Sequence, residues 1–105
     1  MPPSIQVNQS AHRAFGRLIR LTLESDTHLD FTAEEAATVS RALTAVREGR
    51  SAEREIYMSP IASDHDFSGT VLAEGVRVTV GGRAVDLVWN EVDRLARDLI
   101  TPPLD

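Results

Sequence analysis

The 105-residue chain contains no cysteine, no lysine and no long apolar run. Without cysteine there can be no disulfide, no thiolate chemistry, no iron–sulfur ligation and no cysteine-based zinc site. No window approaches the ~18 apolar residues that a membrane-spanning helix requires. The opening residues, Met-Pro-Pro-Ser-Ile, lack the charged and apolar regions of a signal peptide, which predicts a cytoplasmic protein. Catalytic signatures are missing as well. There is no Gly-x-Ser-x-Gly, no glycine-rich phosphate loop and no His-Glu-x-x-His. Ser59, Ser63 and Ser68 lie near His65 along the chain, but nearness in sequence does not make a triad. The absence of lysine beside eleven arginines and twelve alanines fits a GC-rich genome and points to a bacterial or phage origin.

What is present defines one domain, residues 1–105. Hydrophobic residues make up 42% of the chain, enough for a core, and the length is that of an ordinary single domain. The formal charge of −5 argues against an electrostatic grip on nucleic acid or anionic lipid. Arg41, Arg47, Arg50 and Arg54 could form a basic stripe for a DNA-binding repressor, but Glu48, Glu53 and Glu55 are interleaved with them and predict a solvated, ion-paired surface.

Periodicity assigns most of the elements. Residues 1–10 could be an arm or a short strand through Ile5 and Val7, and residues 11–16 either a helical turn or the start of the next strand. Ile19, Leu21 and Leu23 alternate with Arg20, Thr22 and Glu24, the pattern of a half-buried strand. Ser25-Asp26-Thr27 reads as a turn, and Leu29-Asp30-Phe31 as a second strand. Thr32 and Glu35 form a capping-box pair ahead of the apolar stripe Ala36, Val39, Leu43 and Val46, which predicts a helix over 33–48 closed by Gly49. Residues 50–55 read as a solvated linker or an extension of the helix, Glu55–Ser59 suggests a strand limited by Pro60, and the Ser63-Asp64-His65-Asp66 stretch is a polar loop. Residues 70–73 look extended. Val76–Val80 and Arg83–Leu87 alternate on either side of Gly81-Gly82, a strong hairpin signal. From Trp89 the period becomes helical, with Asn90 a candidate cap, Asp93 and Arg97 placed to pair, and Thr101-Pro102-Pro103 as the stop.

The two halves resemble one another. With one residue skipped at the turn, Arg20 aligns with Arg77, Thr22 with Thr79, Asp30 with Asp86, Glu35 with Glu91, Arg41 with Arg97 and Leu43 with Leu99. The fold class that follows is α+β. We expect an antiparallel sheet built from two hairpin-plus-helix units, 17–48 and 70–100, joined by a linker at 49–69, with both helices packed on one face. Exposed sheet edges then predict a homodimer.

The chemistry-bearing candidates are few. Asp26, His28 and Asp30 form one imidazole–carboxylate cluster, and Asp64, His65 and Asp66 another. His28, Asp30, His65 and Asp66 are the candidate metal ligands. Neither cluster has the spacing of an established metal motif, and no cofactor is expected. Trp89 reads as a structural anchor on the apolar stripe, with an interface hot spot as the alternative. The candidate partner-binding residues are Tyr57, Met58 and Phe67 in the central segment and Arg77 and Thr79 on a sheet face. Together these features predict a small regulatory or inhibitor-type module that binds another protein, itself, or both, and is not an enzyme. The alternatives are a small-molecule or metal binder using His28 and His65, and a DNA-binding repressor.

Overall fold

The computed structural model describes residues 5–24 and 26–102. Ser25 of the first predicted turn and Pro103 of the predicted helix stop lie outside them. The element order is β1 (Ile5–His12), β2 (Gly16–Leu23), β3 (Thr27–Phe31), α1 (Ala33–Arg47), β4 (Glu55–Met58), β5 (Phe67–Leu72), β6 (Gly75–Val80), β7 (Arg83–Val88) and α2 (Trp89–Ile100). The class is α+β, as the patterning predicts.

The strands divide into two antiparallel sheets, β1-β2-β3 and β4-β5-β6-β7, instead of forming one. Each is a meander of neighbouring hairpins. Helix α1 carries the chain away from the β3 edge, so β4 begins a second sheet and does not extend the first. Residues left open by the sequence become strand: 5–12 are β1, with a turn at 13–15, and the linker contributes β4 and the start of β5. Each half therefore runs through three antiparallel strands and a helix, with β4 added ahead of the second set.

The alternation does its work as expected. Leu21, Leu23, Leu29 and Phe31 of the first sheet and Val76, Val78, Val80, Val85 and Leu87 of the second are buried in one cluster with Val39, Leu43, Val92, Leu95 and Leu99 of the helices. Phe31 and Phe67 meet edge to face with ring centroids 5.9 Å apart, where the inner faces of the two sheets join. Helix α1 touches β2, β3 and β4, while α2 touches β1, β6 and β7, so each helix bridges both sheets. The helices also pack on each other. Buried Ser40 donates its hydroxyl to the Ala96 carbonyl at 2.6 Å. Ser40 and Ala96 are equivalent positions in the internal alignment, and contact between equivalent positions is what a twofold relation between halves produces.

The first helix is capped as read from the sequence. The Glu35 amide donates to the Thr32 hydroxyl at 3.2 Å, and Glu35 Oε1 accepts from the Thr32 amide at 2.8 Å. At its other end Gly49 has φ +74°, with Gly49 N–H donating to Val46 O and Arg50 N–H to Ala45 O, a Schellman closure. The second helix differs from expectation. Its N-cap is Val88, and Asn90 lies inside the first turn. Valine has no acceptor, so only the return half of the box forms, from Val88 N–H to Glu91 Oε1 at 3.1 Å. Trp89 substitutes anchoring for capping. Its amide donates to Glu74 O and its indole N–H to Ala73 O at 3.3 Å, fixing α2 to the β5–β6 turn. Asp93 pairs across the helices with Arg47 at 3.2 Å, not with Arg97, and the Arg47 guanidinium lies 5.6 Å from the Trp89 ring centroid.

Two glycine positions are constrained in different ways. Gly81 and Gly82 both have positive φ, +56° and +82°, as a two-residue primed turn demands. Gly75 has an ordinary φ, but a Cβ there would lie 1.7 Å from the Leu87 carbonyl oxygen. Gly75→Ala must therefore break the β6–β7 pairing and should destabilise the domain by more than Gly82→Ala, which meets no atom and costs only about 1–2 kcal/mol of backbone strain. Urea denaturation of the two variants checks the order.

Candidate partner-binding surface

The central segment is built from the edge strand β4 outward. Alternation buries Ile56 and turns Tyr57 to solvent, where it is 64% exposed. Pro60 has no amide hydrogen to extend the ladder, so β4 stops and the chain loops through 59–66. Two carboxylates hold that loop. Both oxygens of Asp66 accept, one from the Tyr57 hydroxyl and the other from the Ser59 hydroxyl at 2.9 Å. Glu35, having capped α1 with one oxygen, accepts from the Ile61 amide with the other at 3.0 Å. The loop is thus tied to the helix N-terminus and to its own strand, yet Ile61 remains 70% exposed. The bond from Tyr57, then that from Ser59, holds the Asp66 carboxyl below its ordinary range; donation to Asp66 raises the Tyr57 phenol.

Beside this loop lies an open cavity of about 360 Å³. The structure brings both histidine–carboxylate clusters to it: His28 and Asp30 come from β3, Asp64 and His65 from the loop, and Asp26 from the preceding turn. The His65 ring sits against Gly81, whose missing Cβ leaves room for it. Two of the carboxylates are already engaged. Asp30 forks to Arg20, with Arg20 Nε donating at 2.9 Å and Nη2 at 3.2 Å. Asp26 accepts from Arg83 Nη2 at 2.7 Å, a bond from the start of β7 to the β2–β3 turn. His28, His65 and Asp64 make no hydrogen bond or ion pair among the described residues. Asp66, a candidate ligand from sequence, is turned to Tyr57 and Ser59 and does not line the cavity. Among the described residues no three histidine or carboxylate groups are arranged to hold a metal ion.

The remaining candidates separate. Phe67 is fully buried against Phe31, so its side chain is core and offers no surface to a partner. Its place at the start of β5 puts it on the inward face, which sequence could not decide while the register of that strand was unknown. Met58 is half-buried against the same core. Arg77 is exposed, and its guanidinium forks to Asp86 directly across the strand pair at 2.7 and 3.1 Å. That bond raises the arginine and lowers the aspartate. Thr79 is half-buried two residues along the same strand. On and beyond α1, Arg47 and Arg50 are paired with Asp93 and Glu48, and Arg41 donates to the Thr38 hydroxyl. Sequence reading missed the second bond of Glu35 and the Arg83–Asp26 bridge. The sequence aligns Arg20 with Arg77 and Asp30 with Asp86, but that each Arg forks to the Asp of its own hairpin was also missed.

Comparison with models of known protein families, with curated proteins and with solved structures finds no significant match. No helix among the described residues is long and apolar enough to cross a membrane.

The chain has one tyrosine, so its ionisation can be read directly. The phenol is raised, so the bond to Asp66 holds below the ordinary tyrosine value of 10.0 and is lost as pH climbs through the higher folded value. Asp66 is lowered, so the same bond persists below the ordinary carboxyl value of 3.8 until the lower folded value is crossed. In Asp66→Asn, the absorbance midpoint of the phenolate should fall toward that of free tyrosine. An unchanged midpoint would remove Asp66 as the cause.

Proposed function

We propose that the protein works by binding another protein through the segment from Tyr57 to Asp66, and not by catalysis. One observation carries the reading. Two large apolar side chains, Tyr57 and Ile61, are held out in water at 64% and 70% exposure by a loop that Asp66 and Glu35 fix in place. A preformed loop pays little ordering entropy on association, and an exposed aromatic with a neighbouring aliphatic is the composition of an interface centre. Among the described residues strand β4 is the edge of its sheet beside them, which also suits pairing with a second copy. The setting that fits composition is a small regulatory or inhibitor-type module of a bacterial or phage cytoplasm.

The combined variant Tyr57→Ala, Ile61→Ser tests this. Both side chains are exposed, so stability should change by no more than about 1 kcal/mol. Native mass spectrometry of protein isolated from its own host should show a second protein chain, or a dimer, that the variant loses. A monomer in both forms would overturn the reading.

A second reading is favoured by the convergence of His28 and His65 on one cavity with Asp64. It makes the protein a small-molecule binder. It predicts a fixed extra mass on the monomer that His28→Ala and His65→Ala remove while the fold is kept.

A further inference from the structure

The β1–β2 hairpin reaches past the rest of its sheet. Pairing of β1 with β2 continues to His12 and Gly16, whereas β3 covers β2 only from Ile19 to Leu23. Three further residues of β2 thus run on, a projection of about 10 Å at ~3.3 Å per residue. Leu18 is buried at the root, but every residue from 11 to 17 is exposed. Arg17 follows Ile19, Leu21 and Leu23 in the alternation, yet beyond the end of β3 it has no core to face.

The tip is basic in an acidic chain. Residues 1–23 hold three of the eleven arginines and none of the sixteen acids; Glu24 is the first carboxylate. Arg20 is taken by Asp30. Arg13 and Arg17 have no hydrogen bond or ion pair among the described residues. Between them Phe15 is 41% exposed. The turn is preformed: His12 Nδ1 accepts from the amides of Ala14 at 3.0 Å and Phe15 at 3.3 Å, and the His12 and Phe15 rings lie 4.8 Å apart. The projection is about one Debye length at physiological ionic strength, so the tip's charge is separated from the acids of the body.

We propose that this hairpin tip is a docking finger for an acidic, apolar-containing segment of a protein partner, with Arg13 and Arg17 pairing with carboxylates on either side of Phe15. A short acidic segment can engage the tip alone. A nucleic-acid duplex would carry its phosphates on across the acid-rich body, and two guanidiniums neutralise too few of them to offset that. The proposal rests on the binding reading above only in taking the partner to be a protein; its residues belong to the other sheet from Tyr57 and Ile61.

The test is an NMR titration of the isotopically labelled full chain at low salt, with acetyl-Glu-Glu-Leu-Glu-Glu-amide as the acidic probe. A duplex DNA oligonucleotide and an arginine-rich peptide of the same length serve as comparisons. The acidic peptide should shift residues 12–17, with affinity falling as salt is added. Arg13→Glu with Arg17→Glu should weaken it by about tenfold or more, since each exposed pair is worth a few-fold and reversal adds repulsion. Phe15→Ala should weaken it less. Tyr57→Ala with Ile61→Ser should leave the titration unchanged. Absence of shifts at 12–17, or tighter binding of DNA there than of the acidic peptide, overturns the proposal. If the finger fails while the Tyr57 and Ile61 variant still loses its partner, only the finger falls.

Discussion

Each antiparallel sheet in this protein has one apolar face and cannot bury it alone. A strictly alternating strand such as Val76–Val80 commits every second side chain to one side of the sheet. Helices α1 and α2 supply covering stripes, but each is narrower than a sheet. Both faces are closed only because the sheets turn inward on a common core, met by Phe31 and Phe67, while each helix spans both sheets. The domain is thus held by mutual coverage. Neither half has a complete core of its own.

The polar side of that arrangement repeats. Arg20 with Asp30 and Arg77 with Asp86 are both two-pronged cross-strand pairs in register on the outward faces of their hairpins. The Arg77–Asp86 pair is largely exposed and adds little stability, while Asp30 of the other pair is mostly covered. Both pairs hold like positions in like register, because a slip of one residue would part the fork and turn the apolar face outward together. The Ser40–Ala96 bond at the helix crossing joins positions that align with each other in the two halves.

The surface features offered to a partner arise where this repeat is interrupted. β4 and the loop after it have no counterpart in the first half, and they carry Tyr57, Ile61 and one wall of the polar cavity. The β1–β2 turn at 13–15 carries Arg13 and Phe15, with Arg17 just inside β2, and is longer than the corresponding β5–β6 turn at 73–74. Glu35 connects the two kinds of feature. It caps α1, a task of the scaffold, and anchors Ile61, a task of the displayed loop. Its aligned partner Glu91 returns to Val88 and to nothing else among the described residues.

By itself the sequence determined the elements whose signals are local. The Thr32–Glu35 box, the period-two runs around Gly81-Gly82 and the closure at Gly49 are all set by neighbours within a few residues, where backbone geometry leaves few choices. Tertiary structure decided what depends on distant register. It split the strands into two sheets, moved Phe67 from surface to core, sent Asp93 to Arg47, and brought His28 and His65 from clusters 37 residues apart to one cavity. Local rules cannot reach these outcomes, because each follows from which apolar faces share a core, and that is fixed only when the whole chain closes on itself.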